Sequence, residues 1–160
     1  MSRTIFVPTL ALIAATIFAS TASSDGHADK AIAAAIEARK AQMQLVAYNM
    51  GILGGMAKGE VPFDGAIASS AASNLASVSK LDRATLWLDG TIQGDVPNTR
   101  AKAEIWSDAA GFEKSATDLE AAADALVAAA GADLAAVQAA MGAAGQTCSA
   151  CHKAYRGPKN

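Results

Sequence analysis

Alanine is the residue type that most limits how this chain can fold: 41 of its 160 residues are alanine, and only four are proline. Alanine has the highest intrinsic helix propensity, whereas sheets are enriched in β-branched and aromatic residues. Aromatic residues make up only 5% of the sequence. The composition therefore predicts an all-α fold with one globular domain, because a chain of this length is too short for two ordinary domains.

The charges exclude one class of partner. The chain has 13 Lys and Arg against 15 Asp and Glu, which gives a formal net charge of −2. Proteins that bind nucleic acids neutralise phosphates with an excess of clustered cations. We therefore expect no nucleic-acid partner.

Residues 1–22 have the composition of a secretory signal peptide. An early arginine is followed by an apolar run over Ile5–Phe18 and then by small residues. The alternative is an uncleaved membrane anchor, but this run contains Pro8 and is shorter than the roughly 20 residues that span a bilayer. We expect export to the periplasm, cleavage after residue 22, and a soluble mature domain at residues 23–160.

The spacing of apolar residues predicts four helices, at about residues 29–58, 64–81, 107–130 and 133–156, with one long connection at 82–102. Short turns between the other helices predict an antiparallel, up-down-up-down four-helix bundle. The residues expected to face inward on the first two helices are Ile32, Ile36, Met43, Met50 and Leu53, then Ile67, Ala71, Leu75, Val78 and Leu81.

The apolar core of such a bundle would be sparse. Leu, Ile, Val and Phe together number 23 among the 138 residues from Ser23 onward. Buried apolar surface stabilises a fold by about 25 cal/mol per Å², and helix faces made of alanine bury little of it. We infer that a large, flat cofactor completes the core.

The sequence Cys148-Ser149-Ala150-Cys151-His152 has the C-x-x-C-H spacing of covalent haem c attachment. Two thiols three positions apart on a helix share one face and can add to the two porphyrin vinyl groups, while the adjacent imidazole can bind the iron. The competing interpretations are a disulfide, a redox pair of the thioredoxin type, and half of a zinc site. A redox pair normally opens a helix in a βαβ unit, and zinc needs four ligands. Haem fits the motif and the export signal best.

The chain resembles the class II c-type cytochromes, the family of cytochrome c′ and its low-spin c-556 relatives. The resemblance rests on Cys148–His152 with Tyr155 and Arg156, on residues 58–64 between the first two helices, and on residues 104–108 before the third. It implies a four-helix bundle with one covalently bound haem c and its iron, with His152 as the proximal ligand.

The same resemblance implies that Met43 occupies the distal position on the first helix. High-spin cytochromes c′ typically have a bulky residue there that does not bind the iron, whereas the low-spin branch has methionine. Met43 therefore indicates a His/Met-ligated iron, and the alternative is that Met43 fills the core. Met56 and Met141 are poorer candidates because one lies near a helix end and the other on the proximal helix.

Two arginines complete the expected site. Arg39 lies on the apolar stripe one turn before Met43, where a charge requires a partner, and a haem propionate would supply one. The resemblance implies the same role; the alternative is a side chain that reaches water. Arg156 matches an arginine beside the proximal imidazole in the family, or it is a helix-end cation that complements the helix dipole.

We therefore expect a periplasmic cytochrome that transfers single electrons to and from redox proteins. It has no enzymatic acid/base pair or nucleophile outside the haem site. The alternatives are a high-spin cytochrome c′ that binds nitric oxide or carbon monoxide, and a haem-free bundle. Small residues at Gly51, Gly54 and Gly55 would allow a homodimer through helices one and two.

Overall fold

A computed structural model describes residues 24–159. The predicted signal peptide, residues 1–22, lies outside the described residues. The helices are α1 (Ser24–Ala57), α2 (Gly65–Ser79), α3 (Glu104–Ser107), α4 (Ala109–Ala130) and α5 (Leu134–Tyr155).

The four long helices form the predicted antiparallel bundle. Helix α1 packs on α2, α2 on α4, α4 on α5, and α5 on α1, so each long helix has two neighbours in the bundle. The short α3 packs on α4 and α5. Within residues 24–159, none of the helices combines the length and apolar character needed for a membrane span.

Aspartates begin three of the helices by accepting hydrogen bonds from backbone N–H groups of the first turn. Asp64 accepts from Ala66 and Ile67, Asp108 from Gly111, and Asp133 from Ala136. The helix starts predicted at residues 64 and 133 are thus confirmed. The helix predicted from about residue 107 begins at Ala109, because Asp108 has a non-helical backbone (φ −123°, ψ 56°) that separates it from the short α3.

The main core lies between α1, α2, α4 and α5 and contains many alanines. Its fully buried larger side chains are Leu53, Leu75, Leu126 and Val137. The prediction that Ile67 and Leu81 face inward was wrong, since they are 51% and 46% exposed. Ile67 lines a groove between α1 and α2, and Leu81 follows the end of α2 at Ser79.

A second apolar cluster lies at the end of the bundle where α5 finishes. Ala101, Ile105 and Tyr155 form its buried part, and Trp87, Trp106, Phe112 and Cys151 pack against it. Trp87 belongs to the connection between α2 and α3 and brings its ring to this end of the bundle. Cys151 of the predicted haem-attachment motif therefore belongs to the packed part of the structure.

Candidate functional site

Cys148, Cys151 and His152 occupy the last two turns of α5, and all three are half-buried. Burial raises the pKa of both thiols, and in Cys151 the neighbouring Cys148 adds to the effect. Burial also lowers the pKa of His152, with further contributions from the charges of Arg156 and Arg100. The lowered pKa favours the neutral imidazole, which is the form that can bind a metal.

The end of α5 is tied to the segment that precedes α4. The Tyr155 hydroxyl donates to Asp108 Oδ2 over 2.8 Å, and the Lys102 N–H donates to the Tyr155 carbonyl over 3.1 Å. The Gly157 N–H donates to the Arg100 carbonyl over 2.8 Å. These bonds fix the backbone that carries His152.

The contact between Tyr155 and Asp108 requires a glycine at position 111. A Cβ at this position would clash with the carboxylate of Asp108 and the hydroxyl of Tyr155. A glycine in the first turn of α4 therefore lets the two helices approach closely enough for the hydrogen bond.

Three aromatic rings line this end of the bundle edge to face. The rings of Trp87 and Phe112 have centroids 4.9 Å apart, and those of Phe112 and Tyr155 are 5.4 Å apart. Trp106 packs in the same cluster as Cys151, and its Nε1 is buried without a hydrogen-bond partner among the described residues. The surface beside Cys151 is therefore aromatic and apolar, which suits contact with a porphyrin.

Arg39 is buried in α1, with only 4% of its surface exposed. Its Nη1 donates to Thr91 Oγ1 over 2.8 Å, and its Nη2 donates to the Thr91 carbonyl over 3.0 Å and to Thr99 Oγ1 over 2.6 Å. The guanidinium also lies 4.7 Å from the centroid of Trp87. Burial lowers its pKa.

No carboxylate among residues 24–159 pairs with Arg39. A buried cation held only by neutral groups is an unfavourable arrangement unless an anion approaches it. Its surroundings therefore fit the carboxylate of a haem propionate. Sequence reasoning missed Thr91 and Thr99, because two threonines in a connection rich in Gly and Asp give no signal of their own.

Met43 is 36% exposed and is not part of the packed core. The position of Met43 relative to α5 follows from a contact between the two helices. A Cβ added to Gly54 of α1 would lie 3.5 Å from the methyl carbon of Met141 of α5. Met43 lies eleven residues before Gly54, which is close to three whole helical turns, so both residues share the face of α1 that meets α5.

Because α1 and α5 run antiparallel, eleven residues back from Gly54 on α1 correspond to eleven residues forward from Met141 on α5. That residue of α5 is His152, since both helices rise by about 1.5 Å per residue. Met43 and His152 therefore lie at the same level of α1 and α5. Arg39, one turn earlier on α1, lies at the same end of the bundle.

Sequence comparison identifies the family. A sequence model described as Cytochrome C′ matches residues 34–156. The chain belongs to the cytochrome c′ family. It is 40% identical over 121 residues to the cytochrome c′ of Cereibacter sphaeroides, a match that covers 76% of this chain and 81% of the relative.

Two solved structures of cytochrome c′ extend the similarity to the fold. The protein from Rhodobacter Spheriodes superposes with a TM-score of 0.77 at 42% identity, covering 80% of this chain and 98% of that one. The nitric oxide complex of a variant from Alcaligenes xylosoxidans gives a TM-score of 0.71 at 35% identity, covering 80% and 97%. The chain is a monohaem c-type cytochrome with one covalently attached haem c and its iron.

Tyr155→Phe tests the bond that fixes the end of α5 in this member of the cytochrome c′ family. The hydrogen bond to Asp108, together with burial and the charge of Asp108, raises the pKa of Tyr155. The stability that this bond contributes is complete below the usual tyrosine pKa of about 10 and is lost as the pH rises through the higher folded-state value. In urea unfolding followed by circular dichroism at about pH 8 and about pH 11, we expect Tyr155→Phe to lose stability at the lower pH and to show a smaller alkaline decrease than the unaltered protein.

Tyr48→Phe is the matched control, because it removes the same atom from a side chain that is 66% exposed. An alkaline decrease of the same size in Tyr155→Phe and in the unaltered protein would contradict the assignment.

Proposed function

We propose that Cys148 and Cys151 hold the haem through thioether bonds and that the imidazole of His152 binds the iron. The proposal is supported by the C-x-x-C-H spacing, by the half-buried face that the three side chains share at the end of α5, and by the lowered pKa of His152. A haem bound there supplies a one-electron redox couple and a Lewis-acid iron with a second axial position. The occupant of that second position decides the function.

The function that the comparisons favour is the binding of a small diatomic gas, such as nitric oxide or carbon monoxide, at that second axial position. The supporting observations are the similarity to proteins named cytochrome c′ and to a solved nitric oxide complex of one of them. The aromatic cluster that packs against Cys151 would keep the site apolar.

One-electron transfer through a His/Met-ligated iron is the second candidate, and a specific observation favours it. Met43 lies at the level of His152 on the α1 face that meets α5, with its side chain outside the packed core. A thioether at that position favours the reduced iron and leaves no vacant site for a gas.

Met43→Leu distinguishes the two candidates. If the iron binds gases, the reduced unaltered protein has a high-spin spectrum and binds carbon monoxide, and Met43→Leu binds it to a similar extent. If Met43 is the ligand, the unaltered protein is low-spin and binds carbon monoxide poorly, and Met43→Leu gains that binding. Absorption spectra of the reduced proteins with and without carbon monoxide provide the measurement, and Met56→Leu, at a buried site on the same helix, is the control.

We also propose that Arg39 binds a haem propionate, with Thr91 and Thr99 orienting its guanidinium. The buried cation, its three bonds to neutral oxygens and the lack of a paired carboxylate among residues 24–159 support this role. A positive charge close to the haem favours the reduced state.

Arg39→Gln should therefore lower the midpoint potential, by on the order of 50 mV for one charge at an effective dielectric constant of about 20. Lys40→Gln, which removes the neighbouring but exposed cation, should leave the potential nearly unchanged. Redox titration of both variants provides the measurement, and equal shifts in the two would refute a close approach of Arg39 to the haem.

A homodimer through α1 and α2 is a further part of the proposal. Residues 41–57 and 65–79 contain no charged side chain, yet Leu45, Tyr48 and Ile67 are each at least half exposed. A groove of about 290 Å³ runs between the two helices beside Tyr48 and Ile67. Two copies of such a surface can meet without repulsion between like charges.

Replacing both Tyr48 and Ile67 by glutamate should give a monomer in analytical ultracentrifugation under conditions where the unaltered protein is a dimer. Leu81→Glu changes a similarly exposed side chain beyond the end of α2 and should preserve the dimer. A monomeric unaltered protein at high concentration would exclude this association.

The cellular setting completes the proposal. The predicted signal peptide supports a location in the periplasm, where haem c attachment and redox partner proteins are found. We propose no enzymatic reaction for the chain, because its sequence shows no acid/base pair or nucleophile beyond the haem site.

A further inference from the structure

Cations without a carboxylate partner lie close together at one end of this protein, whose net charge is negative. Six cations form ion pairs with carboxylates: Lys40, Lys58, Lys80, Arg83, Lys102 and Lys114. The other six cations of the described chain have no ion-pair partner within residues 24–159. Lys30 and Arg39 lie on α1, whereas Arg100, Lys153, Arg156 and Lys159 belong to the end of α5 and the segments joined to it. We call these last four the basic rim.

Backbone contacts bring the basic rim together. Ala101 and Arg156 form a β-bridge, and Arg100 Nε donates to the carbonyls of Gly157 and Pro158 over 2.8 and 3.1 Å. The charges of Arg100 and Arg156 both act on His152. Lys153, Arg156 and Lys159 are exposed, so the rim is open to solvent beside the attachment motif.

Nearby carboxylates do not cancel this charge. Glu104 is paired with Lys102 over 2.9 Å, and Asp108 accepts the hydroxyl of Tyr155. The adjoining connection between α2 and α3 contains three further carboxylates, Asp82, Asp89 and Asp95, and none of them forms an ion pair with the rim within residues 24–159. Since acidic residues exceed basic ones in the rest of the molecule, the rim is a local reversal of the protein's overall sign.

We propose that the basic rim is the docking surface for an acidic face of a redox protein, which places that partner beside the haem-bearing end of α5. A protein partner fits better than a lipid surface, because the more exposed apolar side chains of Tyr48 and Ile67 line the groove between α1 and α2 and not the rim. Complementary charge accelerates association and fixes orientation. The proposal rests on the haem being attached at Cys148 and Cys151, and it applies to either axial ligation.

The first test uses hexacyanoferrate(III), a small anion that takes one electron from the reduced holoprotein and becomes hexacyanoferrate(II). The overall negative charge of the protein would make this rate rise with ionic strength, whereas a basic docking surface makes it fall. Between about 10 mM and about 200 mM salt, we expect a decrease of about threefold or more. At the lower salt, Lys153→Glu with Lys159→Glu should slow the reaction about fivefold or more.

Lys58→Glu, made together with Lys80→Glu, is the matched control because it changes the net charge equally and leaves the rim unaltered. A rate that rises with salt in the unaltered protein would overturn the proposal, as would an equal slowing in the control.

A second measurement separates this proposal from the haem assignment. A fluorescent decaglutamate peptide should bind the holoprotein in an anisotropy titration at low salt, and should bind about tenfold more weakly to the Lys153→Glu, Lys159→Glu variant. A purified protein without a haem spectrum would refute the haem assignment, whereas a haem-loaded protein that ignores the peptide would refute only the docking surface. Binding to phosphatidylserine vesicles in place of the peptide would replace the protein partner by a membrane.

Discussion

The buried charge of Arg39 is the constraint that organises the haem-bearing end of this bundle. A guanidinium in an apolar interior is stable only if its N–H groups find acceptors. Thr91 and Thr99 provide three of these bonds, and Trp87 covers one face of the group. The connection between α2 and α3 contains little regular secondary structure. It nevertheless has a defined conformation, because its residues surround this cation.

Alanine and aromatic packing divide the molecule into two parts with different roles. Between α1, α2, α4 and α5, small side chains let the helices approach closely, as at Gly54, where Met141 reaches the backbone of α1. At the haem-bearing end, large rings and polar bonds replace that close packing, with Tyr155 hydrogen-bonded to Asp108 and packed edge to face against Phe112. The aromatic end offers apolar surface for a prosthetic group, and the alanine-rich core holds the helices together.

Much of this arrangement could be predicted from the sequence because it depends on local signals. The helix starts at Asp64 and Asp133 follow from capping chemistry, and the attachment motif follows from its spacing. The outward orientation of Ile67 could not be predicted, because an apolar residue at helical spacing looks the same whether it meets a core or an exposed groove. The partners of Arg39 lie 52 and 60 residues away in the chain, and only the fold brings them together.

The two candidate functions share nearly every residue of the site, which explains why family membership alone does not choose between them. Cys148, Cys151 and His152 serve either function, and so does a cation at position 39. What differs is a single side chain on the α1 face opposite His152. Methionine has a flexible, unbranched side chain with a soft sulfur atom, so the same residue can fill space beside a small ligand or bind the iron itself. In a scaffold whose other contacts are fixed by Arg39 and Tyr155, the function depends on whether the sulfur of Met43 reaches the iron.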